Sequence, residues 1–274
     1  MFFFTLIIVY LNQRMPVITD YKPIGITCGD FIRKYPDKEI AYVGRLDPMA
    51  HGLITILTGK DVKDMEHYQK KAKIYKFKFI MGMNTDTDDI LGIQTINNKE
   101  DQTNLETIIE FVNNFPNEYN QKYHTFSSFK PAKRNDDGKR KPLWWWTTKR
   151  GGFLPPALSL GAKSERTVNN YIIDEIPEKK VKIYEKKISK IEIREGEEIR
   201  AEFLAKISKI EDNKFRKEET ILQWKEMNFG YNYNEITCTF SVSSGFYIRQ
   251  FVRDMSDILN VKMIVTDIER INIF

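Results

Sequence analysis

The stretch Gly44-Arg45-Leu46-Asp47-Pro48-Met49-Ala50-His51-Gly52 decides how this chain is interpreted. Pro48 fixes its own φ near about −65° and disfavours helical geometry at Asp47, while Gly44 and Gly52 allow backbone conformations that other residues avoid. A carboxylate held in this way is a candidate nucleophile or base. Taken alone, Asp-Pro is also typical of a turn in which the Asp side chain caps the next segment, so the motif leaves both interpretations open.

Charge is unevenly distributed along the chain. The 274 residues include 43 Lys and Arg against 38 Asp and Glu, for a net charge of +5, and 41% are hydrophobic, which is ordinary for a globular protein. Between Lys130 and Arg150, eight basic residues stand against two acidic ones. This segment joins Lys139-Arg140-Lys141 to Trp144-Trp145-Trp146, and cations beside aromatic rings suit phosphates and unstacked bases. A solvated loop whose tryptophans fold onto the domain is the alternative interpretation.

The cysteines and the first residues bear on the compartment. Cys28 and Cys238 are too few for a disulfide scaffold or a metal cluster, so we expect free thiols in a reducing, cytoplasmic environment, with a nuclear or organellar location left open. Residues 1–11 are apolar, but crossing a bilayer takes about 20 such residues, so no membrane span is expected. An added edge strand, a weak anchor and an alternative start at Met15 all stay open for this stretch.

The hydrophobic pattern predicts a mixed α+β fold. Lys73 to Met81 alternates with period two, which predicts a half-buried strand with Tyr75, Phe77 and Phe79 on one face. Further strands are predicted at Val17–Tyr21, Leu53–Leu57, Tyr171–Ile173, Val181–Ile183, Ile191–Ile193, Phe203–Ile207 and Ile236–Val242. Helices are predicted at Cys28–Lys34, after Gly59-Lys60 through Lys70, at Leu105–Phe115 and at Tyr247–Leu259.

These elements predict a mainly antiparallel central sheet flanked by helices. We expect an apolar N-terminal extension at 1–16 and one domain over 17–274, with a basic aromatic segment at 130–152. The charged stretch at about 174–231 is expected to form an elaborated surface hairpin or insertion. Asn84 to Gly92 is rich in turn-forming residues and acidic groups, but it lacks the closing Glu and flanking helices of a calcium loop, so no metal is predicted.

Five separated segments resemble the TruB family of pseudouridine synthases, in the same order and with similar spacing. They are Lys22-Pro23-Ile24-Gly25, Gly44 to Gly52, Tyr75 through Thr85-Asp86-Thr87 to Gly92, a looser block from Gln121 to Lys130, and Ser243-Ser244-Gly245-Phe246-Tyr247-Ile248-Arg249. The resemblance covers about Val17 to Phe274, with gaps in the charged stretch.

The resemblance implies the pseudouridine synthase fold and the isomerisation of a specific uridine in RNA, most often the T-loop uridine of tRNA, without cofactor or metal. Asp47 matches the catalytic aspartate of the family. Arg249 matches an arginine that pairs with this aspartate and would keep it ionised and oriented. Tyr75 matches an aromatic residue that stacks on the flipped base.

The same resemblance implies a set of substrate-binding positions and a partner. The positions are Lys22, Pro23, Tyr42, Arg45, Lys130, Tyr247 and Ile268. The implied partner is RNA, most often tRNA, bound by a monomer. Because the resemblance leaves little sequence after Ile268, we expect the C-terminal RNA-binding (PUA) domain of many members to be absent.

Three positions depart from the family pattern. Tyr42 stands where the bacterial branch has His, Arg45 where it has Thr, and Tyr123-His124-Thr125-Phe126 where it has Pro-Pro-x-Tyr. The catalytic set is intact, whereas the substrate-shaping positions differ. A non-catalytic RNA-binding or tRNA-folding protein on the same fold, and a synthase for another RNA, therefore stay open.

Overall fold

A computed structural model describes residues 17–97, 105–132, 134–135, 137–149, 176–211 and 215–274. Its strands are β1 (Val17–Lys22), β2 (Ile40–Val43), β3 (His51–Thr58), β4 (Lys73–Met81), β5 (Met83–Thr85), β6 (Gln94–Asn97), β7 (Glu118–Lys122), β8 (Glu178–Glu195), β9 (Asn232–Val242) and β10 (Met263–Ile273). Its helices are α1 (Cys28–Ile32), a 3₁₀ turn (Gly59–Asp64), α2 (Met65–Gln69), α3 (Leu105–Asn114), α4 (Leu143–Lys149), α5 (Gly196–Ser208), α6 (Lys217–Glu226) and α7 (Ile248–Leu259).

The predicted α+β fold with a mainly antiparallel sheet is confirmed. Seven strands run in the order β1-β3-β10-β4-β9-β8-β7, β2 also pairs with β3 outside this order, and β5 and β6 form a small second sheet. Only the β3 and β10 pair among the described strands is parallel, and it joins His51 and Gly52 to Glu269 and Arg270. Helix α7 packs against β7 and β10, and α3 and α5 pack against β8.

Strand β4 forms over the residues that the alternation predicts, because one of its faces enters the core. Phe77 and Phe79 are fully buried and Tyr75 nearly so, whereas Lys76 on the opposite face is exposed. The Phe77 ring packs edge-on against Phe240 of β9, with 5.1 Å between the ring centres. Burial of these aromatic rings fixes the register of the strand that carries Tyr75.

The charged stretch differs from the prediction. The prediction of a strand at Phe203–Ile207 is wrong, because these residues lie inside helix α5. Ile199, Phe203 and Ile207 recur every four residues along this helix and are buried. Val181–Ile183 and Ile191–Ile193 belong to one strand, β8, which pairs with β9 in the main sheet and so is not a surface hairpin. That the stretch is an insertion relative to the family stays a prediction.

Parts of the other predictions lie outside the described residues. These are the apolar extension at 1–16, the end of the basic aromatic segment at 150–152 and the strand at Tyr171–Ile173. Within the described residues, no helix combines the length and the apolar character needed to span a membrane.

Candidate active site

Asp47 and Arg249 form an ion pair although 202 positions separate them in sequence. Nη2 of Arg249 donates to Oδ2 of Asp47 at 2.6 Å, and Nη1 donates to the Thr87 carbonyl at 3.0 Å and lies 3.1 Å from Asp89 Oδ2. The Arg249 side chain is 8% exposed, whereas that of Asp47 is 33% exposed. Burial alone would lower the pKa of Arg249, but the two carboxylates outweigh it and raise that pKa. Within the described residues no group donates to Oδ1 of Asp47, which leaves this oxygen available for chemistry.

The acidic turn after β5 holds the helix that carries Arg249. Asp89 is buried, accepts from Thr87 Oγ1 at 2.7 Å and from the Leu91 amide at 2.9 Å, and contacts Arg249. Burial raises the pKa of Asp89 to about 6, and the neighbouring Arg249 charge opposes that rise. The turn therefore supplies a carboxylate that neutralises Arg249 from behind, while Asp47 contacts it from the front.

A buried histidine ties the same turn to the diverged middle block. His124 Nε2 lies 2.8 Å from Asp88 Oδ2, and its Nδ1 accepts the Phe126 amide at 3.1 Å, so the proton resides on Nε2. Burial and the nearby Arg249 charge lower the pKa of His124 to about 4, so the ring is neutral near pH 7. Asp88 also contacts Arg253 of α7 at 3.2 Å. The divergence from Pro-Pro-x-Tyr thus places a structural contact next to the site.

Lys22 holds the Asp47 loop, which we define as residues 44–52, from below. Its ammonium donates to the carbonyls of Ala50 at 2.6 Å, Pro23 at 3.0 Å and Asp47 at 3.2 Å. The side chain is fully buried, and burial lowers the pKa of Lys22 to about 8. Because residues 44–50 of this loop have no regular secondary structure, their carbonyls need such donors.

Arg270 of β10 holds the loop from the opposite side and contacts Tyr75. It is fully buried, and its two terminal nitrogens both donate to the Gly44 carbonyl at 2.9 Å, with a further contact to the Arg45 carbonyl at 3.1 Å. Its Nε donates to the Tyr75 hydroxyl at 3.2 Å. The Cys28 thiol adds contacts of 3.2 Å to the Leu46 amide and carbonyl. Asp47 is therefore presented by a loop whose backbone is fixed on several sides.

A cavity of about 410 Å³ lies over this loop. Seven predicted site residues line it, namely Asp47, Tyr75, Arg249, Tyr42, Arg45, Tyr247 and Ile268. Tyr247 precedes α7, and the Gln121 side chain fixes it by accepting from its amide at 2.8 Å and donating to its carbonyl at 2.9 Å. Arg45 is exposed at the rim and donates to Ser128 Oγ at 2.8 Å.

Three predicted substrate-binding residues lie outside the cavity lining. Lys22 is beneath the Asp47 loop, Pro23 is exposed in the turn after β1, and Lys130 is exposed three residues beyond Ser127. The position of Lys22 assigns its ammonium to the loop carbonyls. Substrate roles for Pro23 and Lys130 stay predictions.

Sequence reasoning missed four residues at this site. Arg270, Lys73, Lys179 and Ser127 contact or line the cavity or its walls. Ser127 Oγ is buried and has no hydrogen-bond partner within the described residues, so it is available to a ligand. Ser127 stands inside a matched motif and Lys73 begins the predicted strand that carries Tyr75, and both were usable signals. The contacts of Arg270 and Lys179 are instead formed with residues distant in sequence.

Known proteins share the part of the chain that carries Asp47 and Tyr75. Residues 33–141 match the family model described as TruB family pseudouridylate synthase (N terminal domain). The tRNA pseudouridine synthase B of Thermosipho melanesiensis is 32% identical over 114 residues, which cover 40% of this chain and 37% of that protein. The tRNA pseudouridine synthase B of Endomicrobium trichonymphae is 34% identical over 113 residues, which cover 40% of this chain and 49% of that protein. The match thus spans less than half the length of each relative.

The fold comparison extends over nearly the whole chain. A solved H/ACA RNP bound to a substrate RNA containing 2′-deoxyuridine contains a chain that superimposes with a TM-score of 0.50 at 12% identity. The match covers 96% of this chain and 48% of that chain. At this identity the similarity concerns the fold alone. Arg249 and Ile268 lie outside the family match, so their positions beside Asp47 come from the structure described above.

Proposed function

We propose that this protein isomerises a uridine in RNA to pseudouridine with Asp47 as the catalytic group, because residues 33–141 match the model of the TruB family N-terminal domain. The observation that carries the proposal is the 2.6 Å ion pair between Arg249 and Asp47 in the wall of a cavity. The family match does not include Arg249, so the fold brings the two expected partners together independently of that match.

The net reaction requires a carboxylate in a closed pocket. The C1′–N1 bond of uridine breaks, the base rotates and a C1′–C5 bond forms, while the proton lost from C5 balances the one gained at N1. Oδ2 of Asp47 is fixed by Arg249, so the other oxygen can act on the sugar or on the base. The free oxygen is equally suited to addition to C1′, to addition to C6 and to removal of a ribose proton. Asp47 is therefore proposed as the catalytic group for any of these three routes.

The aromatic and apolar walls suit a detached uracil. Tyr75 and Ile268 belong to adjacent, paired strands, and both line the cavity. A flipped base stacks on such rings at an energetic gain that offsets part of the few kcal/mol needed to extrude it. Arg270 holds the Tyr75 hydroxyl, which gives that ring a fixed orientation. We propose the T-loop uridine of tRNA as the target, since the named relatives are tRNA pseudouridine synthases.

Mapping of pseudouridine at nucleotide resolution tests the proposal. Unmodified tRNA transcript is incubated with the wild type, with Asp47→Asn, and with Asp64→Asn as a matched control whose exposed carboxylate makes no capping contact. We expect product at the T-loop uridine with the wild type and the control, and a rate at least about 10³-fold lower with Asp47→Asn.

Other outcomes separate the alternatives. Binding of tRNA with no product from the wild type on tRNA or on total RNA would favour a non-catalytic RNA-binding or tRNA-folding protein. Product in total RNA at another position would keep the activity and replace the proposed target.

A further inference from the structure

One end of the cavity carries positive charge that the Asp47 and Arg249 pair does not use. Lys73 and Lys179 both line the cavity, and within the described residues neither ammonium forms an ion pair with a carboxylate. Lys73 is 4% exposed, and its ammonium donates to the carbonyls of Gln69 at 3.0 Å and Lys71 at 2.6 Å. Among the described residues that line the cavity, Asp47 alone carries a carboxylate, and it contacts Arg249. Within the part of the chain that the structure describes, this end of the cavity is therefore a cationic surface without a carboxylate partner.

Strand register explains how both lysines reach the cavity. Lys73 occupies the inward face of β4 ahead of Tyr75 and Phe77, so the face that is apolar inside the core ends in a cation at the cavity. Lys179 occupies the inward face of β8 ahead of the buried Val181 and Ile183. Both side chains follow the alternation of their strands, and their positions are set by the buried residues that come after them.

Two glycines leave room for these side chains. A Cβ at Gly245, whose φ is +83°, would lie 2.2 Å from Lys179 Nζ. A Cβ at Gly44, whose φ is +71°, would lie 3.3 Å from Lys73 Cε. The loops on either side of the cavity thus approach the lysines more closely than other residues would allow.

The electrostatics of this end favour an anion. Burial, and after it the positive charges of Arg270, Lys179 and Lys71, together lower the pKa of Lys73 to about 8. Two neighbouring cations in a partly desolvated site repel one another until a negative group lies between them. A phosphodiester is the anion that an RNA strand supplies next to an extruded base.

We propose that Lys179, supported by the fixed charge of Lys73, binds a phosphodiester group that flanks the reacting uridine. This subsite rests on the proposed function, because it assigns the backbone contact that holds the extruded nucleotide while the Asp47 end of the cavity acts on its base and sugar. It extends that function by naming the group that anchors the strand.

Binding of a synthetic T-arm stem–loop to Lys179→Ala tests the subsite. Lys180→Ala is the matched control, since Lys180 is the next residue of β8, points to the opposite face and pairs with Glu118. Each protein is titrated with the unmodified stem–loop and with versions in which a single linkage, 5′ or 3′ of the target uridine, is a neutral methylphosphonate. Thermal unfolding of each variant confirms that it is folded, and Lys179→Gln serves as a second substitution.

We expect Lys179→Ala to weaken binding of the unmodified RNA about tenfold and to reduce the dependence of log Kd on log salt by about one charge. One of the two methylphosphonates should weaken wild-type binding by a similar factor and should produce no additional loss with Lys179→Ala. Lys180→Ala should change binding less than about twofold. The subsite is overturned if Lys179→Ala binds the unmodified RNA as the wild type does. It is also overturned if each methylphosphonate weakens binding to Lys179→Ala by the same factor as binding to the wild type.

The readouts distinguish this proposal from the proposed function. A wild type that shows the non-additive binding pattern but forms no pseudouridine would retain the subsite and overturn the activity. If the wild type forms pseudouridine but the losses from the methylphosphonate and from Lys179→Ala are independent, the activity is retained and the subsite is overturned. Failure of every RNA to bind would overturn both.

Discussion

The Asp47 loop and the basic aromatic segment are built in opposite ways. The Asp47 loop is irregular, yet the carbonyls of Gly44, Arg45, Leu46, Asp47 and Ala50 accept hydrogen bonds from Lys22, Cys28 and Arg270. The described part of the basic aromatic segment instead rests on a small separate cluster around Leu143 and Trp146, with Trp144 exposed. The first region is fixed by buried donors, and the second presents charge and aromatic surface to solvent.

The difference shows that positive charge in this protein serves two purposes, one for buried cations and one for exposed cations. Arg249, Lys22 and Arg270 are inaccessible and position groups that face the cavity. The described lysines and arginines of the basic aromatic segment are mostly exposed, where under the proposed function they can contact the RNA. Substitutions in the first region should affect stability and chemistry, and substitutions in the second should affect binding.

Among the substitutions considered, Arg249→Leu should have the largest effect on stability and activity. Removing the guanidinium leaves the buried Asp89 carboxylate unpaired, so we expect a loss of about 3–5 kcal/mol in unfolding free energy and no measurable activity. Denaturant unfolding measures the first effect and pseudouridine mapping the second. The double variant Arg249→Leu/Asp89→Asn should recover part of the stability but none of the activity; an equally unstable double variant would contradict the role of Asp89.

Lys22→Met should have the next largest effect, which is a loss of stability. The substitution keeps the apolar length of the side chain but leaves the carbonyls of Pro23, Asp47 and Ala50 without that donor, at a cost of about 2–3 kcal/mol. Lys60→Met, at an exposed position, is the control and should stay within about 0.5 kcal/mol. Urea unfolding of both variants is the measurement, and equal stability would show that the Lys22 contacts contribute nothing net.

Arg270→Lys should produce a smaller and more selective change. A lysine retains the charge but cannot contact the Gly44 carbonyl with two nitrogens and the Tyr75 hydroxyl with a third. We expect the single-turnover rate to fall about tenfold with RNA affinity within about twofold. Steady KM and reduced kcat would identify Arg270 as a positioning residue, whereas a loss confined to KM would contradict that role.

The basic aromatic segment should give the smallest effects on stability. Trp144→Ala removes an exposed ring and should weaken RNA binding about fivefold with unfolding free energy unchanged, because stacking of a base on such a ring contributes about 1 kcal/mol or more. Trp146→Ala removes a ring that is 3% exposed and should destabilise the segment. Binding titrations together with thermal unfolding distinguish the two, and identical behaviour of both variants would remove the distinction between the packed and the exposed tryptophan.

Local patterning predicted the elements whose burial follows a single period. Strand β4 matches its prediction because Tyr75, Phe77 and Phe79 alternate without interruption. The sequence pattern predicts two strands where β8 is one, because irregularities between Ile183 and Glu185 and between Ile188 and Lys190 shift the alternation. It predicts a strand inside α5, because the window Phe203–Ile207 is too short to show the four-residue spacing of the helix.

The site was predictable where a motif carries it and was missed where distant residues complete it. Asp47 and Tyr75 lie in local motifs, and the resemblance placed Arg249 with them. The buried contacts of Lys22 and Arg270 gave no local signal, since a lysine or arginine that donates to carbonyls looks in sequence like any surface cation. The sequence pattern suggests that Trp146 contacts RNA together with its neighbours, with packing onto the domain as the alternative. In the structure Trp146 packs against Leu143.

The contact between Arg270 and the Gly44 carbonyl has a consequence for how the protein is made. The two residues are 226 positions apart, and the Asp47 contact to Arg249 spans 202. A chain emerging from the ribosome therefore exposes the Asp47 loop long before the strand and helix that complete it exist. Contacts of such sequence separation form late and slowly in folding, so the cavity is assembled after the rest of the sheet has largely been synthesised. Partly translated chains consequently hold the Asp47 carboxylate without its counter-ion, so under the proposed function they would have no activity on RNA.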